Sequence, residues 1–195
     1  MVFTALNVVA LVGWTAVAGA TVATYLNPPP SSFFNTVIWN STFICECICC
    51  VDIVRIALGQ LRGDLILGLD VHYTRLMMLL FTLRHPDVSA LNVQLILLAW
   101  SLTEVARYPM VLLPNVPYLK TIRYAMPLVT FPLGAGTEAY AAYVVLQTTP
   151  NLALKLALGM IVLVNCIGCP VWYPSMARKV IRSIKREPAA AKRGD

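Results

Sequence analysis

The sequence predicts an all-α membrane protein, a bundle of six transmembrane helices with both termini in the cytosol. Composition, the lengths of the apolar runs and the distribution of Lys and Arg predict it. Fifty-eight per cent of the 195 residues are hydrophobic and 12 per cent are charged, with a mean hydropathy of +0.72. Soluble domains are about 45–50 per cent apolar and about 25 per cent charged, so this chain has too little polar surface to be one. At about 20 residues per crossing, the length has room for roughly six spans.

The first span is Val2 to Leu26. Ala16, Ala18 and Ala20 mimic a cleavage site, but no Lys or Arg precedes the run, and its length exceeds the about 7–15 apolar residues of a signal sequence. We expect a retained anchor. Pro28 to Pro30 cannot continue a helix and make the first connection. The second span covers Phe33 to Leu58, and Gln60 to Asp64 with Arg62 links it to a third over Leu65 to Leu83. Arg84, His85, Pro86 and Asp87 form the next turn.

The fourth span runs from Val88 to Leu113 and is closed by Pro114 to Pro117. The fifth, Tyr118 to Leu146, is interrupted by Pro127 and Pro132. After a turn at Thr148 to Asn151, the sixth covers Leu152 to Tyr173 and meets Pro170 and Pro174 at its end. This divides the chain into a six-span domain, residues 1–177, and a basic cytosolic tail, residues 178–195. The sequon Asn40-Ser41-Thr42 lies against the second span, so we expect it to stay unmodified.

The net charge of +6 does not indicate nucleic-acid binding, because seven of the fifteen Lys and Arg lie between Arg178 and Arg193, directly after the last apolar run. A basic tail there suits anionic membrane lipid. Arg55, Arg62, Lys120 and Arg123 share the tail's side of the membrane, whereas Arg84 and Lys155 fall on the other. The excess of positive charge assigns the first side to the cytosol.

Cys45, Cys47, Cys49, Cys50, Cys166 and Cys169 all sit in apolar stretches and read as small buried hydrophobes rather than disulfides or a thiolate metal site. No metal and no cofactor is expected.

Eight ionisable residues fall inside the spans: Glu46, Asp52, Asp70, Arg75, Glu104, Arg107, Arg123 and Glu138. A charge near the bilayer centre costs about 2.5–3.5 kcal/mol on insertion scales, so these groups should face the bundle interior around a polar cavity. Glu104 and Arg107 are three apart on one helix face, as are Asp52 and Arg55. Either pair serves equally well as a structural clamp. Asp70 and Arg75 point different ways and need partners from other helices, while Glu46 has no local partner and is expected to be neutral. Gly134 and Gly136 read as close-packing positions.

Two strings carry a family resemblance. Trp100-Ser-Leu-Thr-Glu-Val-Ala-Arg-Tyr108 resembles the fourth-span signature of the very-long-chain (3R)-3-hydroxyacyl-CoA dehydratases, also called the protein-tyrosine-phosphatase-like family. Ile122-Arg123-Tyr124 with Phe131-Pro-Leu-Gly-Ala-Gly-Thr-Glu138 resembles its fifth-span signature. Weaker similarity at Val51-Asp-Ile-Val, Tyr73-Thr-Arg75 and Gly168 to Met176 extends it from about residue 50 to the tail.

The resemblance implies a lyase of fatty acid elongation in the endoplasmic reticulum membrane, acting on long-chain 3-hydroxyacyl-CoA beside the condensing and reducing enzymes. The family's catalytic pair is a Tyr and a Glu seven residues apart. Glu138 matches the Glu, and Phe131 stands at the position of the Tyr. Dehydration needs a base for the proton beside the carbonyl and a proton for the departing hydroxide, and a phenyl ring supplies no proton. Glu138 alone, or a hydroxyl from Tyr108, Thr130 or Tyr124, would have to serve, with Tyr108 preferred. The resemblance also implies substrate-binding roles for Arg75, Glu104, Arg107 and Arg123. The alternatives are a catalytically impaired member that acts as a structural or regulatory partner of the elongation machinery, and a small transporter, for which the sequence shows no inverted repeat.

Overall fold

The computed structural model describes residues 2–27, 34–61, 63–116 and 118–191. Pro28 to Pro30, Arg62, Pro117 and the terminal Lys192 to Asp195 lie outside the described residues. Among the described residues all regular structure is helical, in six long helices: α1 Val2–Leu26, α2 Trp39–Ala57 with a π-helical turn Phe34–Ile38 before it, α3 Leu65–Met77 continued by a π-helical turn Met78–Thr82, α4 Ala90–Leu112, α5 Leu119–Thr148 and α6 Leu152–Ala191.

Local chemistry sets the helix ends. Gly59, at φ +71°, closes α2: its N–H bonds Ile56 O at 3.0 Å and the Gln60 N–H bonds Arg55 O at 2.8 Å. This is a Schellman close, which needs a residue free to adopt the left-handed region. Asp64 caps α3 by accepting from the Leu67 N–H at 3.1 Å, and Ser89 caps α4 through the Asn92 N–H at 3.3 Å. In the π-helical turn after α3, the Leu79 carbonyl accepts the Trp39 indole N–H at 3.0 Å.

Among the described residues, five segments are long and apolar enough to cross a membrane: Phe3–Leu26, Thr36–Ala57, Leu65–Thr82, Ala90–Leu112 and Leu152–Ile184. Helix α5 is the longest but one, yet Pro127, Pro132, Glu138 and several Tyr, Gly and Thr residues dilute its apolar character. Two boundaries differ from the sequence expectation. Helix α5 runs through Pro127 and Pro132 without a break, and α6 runs through Pro170 and Pro174 to Ala191, so no interruption separates residues 1–177 from the basic segment. Proline is tolerated within membrane helices because neighbouring helices and local adjustment satisfy the freed carbonyls.

Helix α4 is central, packed between α1 and α5, with α6 against α5 and α2 between α1 and α3. The core gathers Trp14, Ile96, Met78, Leu79, Tyr108, Leu158 and Ile161. Helices α1 and α2 approach closely at Gly13, where the Cys45 sulfur stands in the space a Cβ would take, the kind of contact that small residues permit between membrane helices.

The succession is up and down, and three contacts fix one end of the bundle. The Arg55 guanidinium lies 4.0 Å over the Phe3 ring, Arg107 pairs with Asp52, and the Thr121 and Ser183 hydroxyls meet at 2.6 Å. The start of α1 and the C-terminal part of α6 therefore share that end. All six cysteines are free; contrary to the expectation of uniform burial, Cys47 and Cys166 are exposed on the outer surface, where an apolar thiol is compatible with lipid.

Candidate active site

The charged residues of α2, α3 and α4 form one chain of contacts. Arg55 bonds Asp52 at 2.8 Å, Asp52 also holds Arg107, and Arg107 reaches Glu104 at 3.1 Å. Glu104 then bonds Arg75 at 2.8 Å. Arg75 reaches Glu46 at 3.4 Å, whose other oxygen meets His72 Nδ1. Three carboxylates, of Asp52, Glu104 and Glu46, thus face three guanidiniums, of Arg55, Arg107 and Arg75. Glu46 is completely buried and Glu104 and Arg75 nearly so, and removal from water requires such pairing. Glu46 has no partner within α2, as its spacing implies; its partners come from α3, which spacing within α2 cannot reveal.

Glu46, Cys49 and His72 bring one potential metal ligand each within 4.8 Å. The Glu46 carboxylate is already shared between Arg75 and His72, and a cation entering there would meet the Arg75 guanidinium.

Arg75 also joins this lattice to a cavity. Its guanidinium stands 5.5 Å from the Trp100 ring and 5.9 Å from that of Trp14. The cavity, of about 160 Å³, lies among α3, α4, α5 and α6 and is walled mainly by apolar groups, with Arg75, Asp70, Thr130, Asn165 and Glu138 among its polar lining. Its walls run from the middle of the helices, at Trp100, Glu138 and Asn165, toward the end that carries the start of α1, at Leu67, Thr103, Pro127 and Met176.

Glu138 projects from α5 into this cavity, 8% exposed. Oε1 accepts the Trp100 indole N–H at 2.5 Å, and Oε2 accepts the Asn165 amide at 3.2 Å. Each oxygen has one donor, from α4 and from α6, which fixes the carboxylate plane while leaving lone pairs for a ligand. Gly134, one turn before, keeps the wall open, with Ala99 opposite. Asn92 adds a tie from α4 to α5 by donating to Thr137 O at 3.0 Å.

Phe131 lines the same cavity two turns before Glu138, its ring 6.3 Å from that of Trp172. Thr130 is also on the wall, its hydroxyl 2.7 Å from that of Thr103. The remaining predicted residues are elsewhere. Tyr108 is fully buried with its hydroxyl 3.4 Å from Cys49 Sγ, outside the cavity lining. Glu104 and Arg107 are committed to the ionic lattice. Arg123 is half-buried near the start of α5 and outside the cavity lining.

The sequence profile of the family described as Protein tyrosine phosphatase-like protein, PTPLA, matches residues 46–185. The chain belongs to that family. It is the family of the very-long-chain 3-hydroxyacyl-CoA dehydratases. The matched stretch begins at Glu46, the first acidic member of the ionic lattice, and includes every lining residue of the cavity. No curated protein and no solved structure matches the chain.

Sequence reasoning missed three residues of this arrangement: His72, Trp100 as the donor to Glu138, and Asn165. Asn165 carried a signal, an amide inside an otherwise apolar helix, where a polar group needs a partner across the bundle.

Proposed function

We propose that the chain dehydrates long-chain (3R)-3-hydroxyacyl-CoA to trans-2-enoyl-CoA in fatty acid elongation, within the endoplasmic reticulum membrane and beside the condensing and reducing enzymes. The observation that carries this reading is Glu138: a carboxylate held on both oxygens at the wall of a largely apolar cavity, in a member of the PTPLA family. A carboxylate so placed can take the C2 proton of a bound 3-hydroxyacyl thioester. The fixed indole and amide dipoles hold it ready, so little reorganisation accompanies the reaction.

In this reading all six helices span the membrane, α5 included, with both termini cytosolic. Helix α5 can cross despite its lower hydropathy because Glu138, Gly134, Ala135, Ala141 and Ala142 face the bundle rather than lipid. The cavity then reaches from the middle of the bundle toward its cytosolic end, where an acyl-CoA arrives with its polar head in water and its alkyl chain in the bilayer. Arg75 is the cation on the cavity wall and can polarise the thioester oxygen.

Phe131 favours a second reading, in which the chain no longer turns over substrate and serves the elongation complex as a structural or regulatory partner. Membranes containing the chain, supplied with long-chain 3-hydroxyacyl-CoA and followed by mass spectrometry, separate the two. Formation of trans-2-enoyl-CoA supports the enzyme; its absence together with gain of product in Phe131→Tyr supports the second reading.

A further inference from the structure

Each carboxylate of the spans has partners except one. Glu46, Asp52 and Glu104 are bonded to Arg or His, and Glu138 has Trp100 and Asn165. Asp70 makes no hydrogen bond or ion pair among the described residues, yet it is half-buried on the cavity wall. Leu67, Asp70, Val71 and Thr74 all line the cavity. Their spacing of three and four is that of a single helix stripe, so Asp70 belongs to the inward face of α3.

Its height along the cavity is informative. The Arg75 guanidinium and the Glu138 carboxylate both lie beside the Trp100 indole, the first 5.5 Å from its ring and the second on its N–H, so the ends of the two side chains are close in height. Helices α3 and α5 both run away from the end that carries the start of α1. Asp70 lies five residues before Arg75, about 7.5 Å nearer that end, and Phe131 lies seven before Glu138, about 10.5 Å nearer it. Asp70 therefore reaches the cavity at nearly the level of Phe131, from another wall.

We propose that Asp70 is a second catalytic residue of this chain and supplies the proton that Phe131 cannot. The inference rests on the dehydratase reading. Glu138 takes the C2 proton, and the C2–H electron pair becomes the C2=C3 double bond. The C3–O bond breaks with its pair on oxygen. Protonated Asp70 gives its proton to that oxygen, and water departs. Glu138 is left protonated and Asp70 ionised, and a proton passed from Glu138 to Asp70 through water restores the starting state. The departing hydroxyl faces α3, and the general acid resides on a different helix from the base.

The test compares the unmodified chain, Asp70→Asn and Asp70→Asn/Phe131→Tyr in membranes, with 3-hydroxyacyl-CoA and with the 3-fluoro analogue, whose fluoride leaves without a proton. Asp70→Asn should slow dehydration about 100-fold, a typical general-acid contribution, yet leave fluoride elimination within a few-fold. Adding Phe131→Tyr should restore much of the lost dehydration. The elution profile of each detergent-extracted variant reports its folding independently, and where Asp70→Asn does not fold, Asp70→Glu, which keeps the acid, has to retain dehydration. Equal dehydration by Asp70→Asn and the unmodified chain overturns this assignment alone. A folded Asp70→Asn that loses both reactions equally, or gains nothing from Phe131→Tyr, also overturns it. No enoyl-CoA from the unmodified chain overturns both this assignment and the dehydratase reading.

Discussion

The Trp100 indole N–H donates to Glu138 Oε1 at 2.5 Å, and the same indole faces the Arg75 guanidinium at 5.5 Å. One side chain thereby connects the ionic lattice of α2, α3 and α4 to the carboxylate of the cavity. Trp100 is a positioning residue in this arrangement, since it acts on Glu138 and leaves the proton transfer to the carboxylate.

Trp100→Phe keeps the aromatic bulk and removes the donor. A hydrogen bond to a charged group contributes about 1.5–3 kcal/mol, so kcat should fall about 10- to 100-fold while KM changes little. Steady-state kinetics in membranes provides the check, and an unchanged kcat would remove Trp100 from the account.

Arg75→Met leaves Glu46 and Glu104 buried without their shared cation. Breaking a buried pair by removing one partner costs about 3–5 kcal/mol. Thermal unfolding of detergent-extracted protein should show a large loss of stability, with part of it recovered in Arg75→Met/Glu104→Gln. Simple additivity of the two substitutions would argue against the pairing.

The lattice also marks where the sequence stopped being informative. The pairs Asp52–Arg55 and Glu104–Arg107 were legible because spacing within one helix determines them. Arg107–Asp52, Arg75–Glu104 and Glu46–His72 were not, because they depend on how each helix is rotated toward its neighbour. Tyr108 shows the same limit: its place beside Arg107 in the signature gives no hint that it turns toward Cys49 on α2. Apolar run lengths located the helices well, but prolines were overrated as helix ends. In water Pro170 and Pro174 would stop a helix, whereas in a bundle surrounded by lipid α6 continues past them.

Tyr108→Phe tests that placement. The hydroxyl is sealed against Cys49, so its loss should cost about 0.5–1.5 kcal/mol of stability, the contribution of an ordinary hydrogen bond, and leave turnover unchanged. Parallel unfolding and activity assays report both quantities.

Gly13→Ala probes the contact between α1 and α2. The added methyl would overlap the sulfur of Cys45, a short side chain with little room to withdraw. Overpacking of this kind costs about 1–3 kcal/mol. The melting temperature should fall, and Gly13→Ala/Cys45→Ala should regain most of it; an equal loss in the double variant would mean that the close approach lies elsewhere.

The central claim is that Glu138 removes the C2 proton. Its most direct test is the initial rate of trans-2-enoyl-CoA formation from long-chain 3-hydroxyacyl-CoA, per amount of folded protein, for the unmodified chain and for Glu138→Gln. Glutamine keeps the shape of the side chain but cannot accept the proton, so the rate should fall about 10²- to 10⁴-fold while the extracted variant keeps its elution profile. Glu138→Gln turning over at the rate of the unmodified chain would contradict the account.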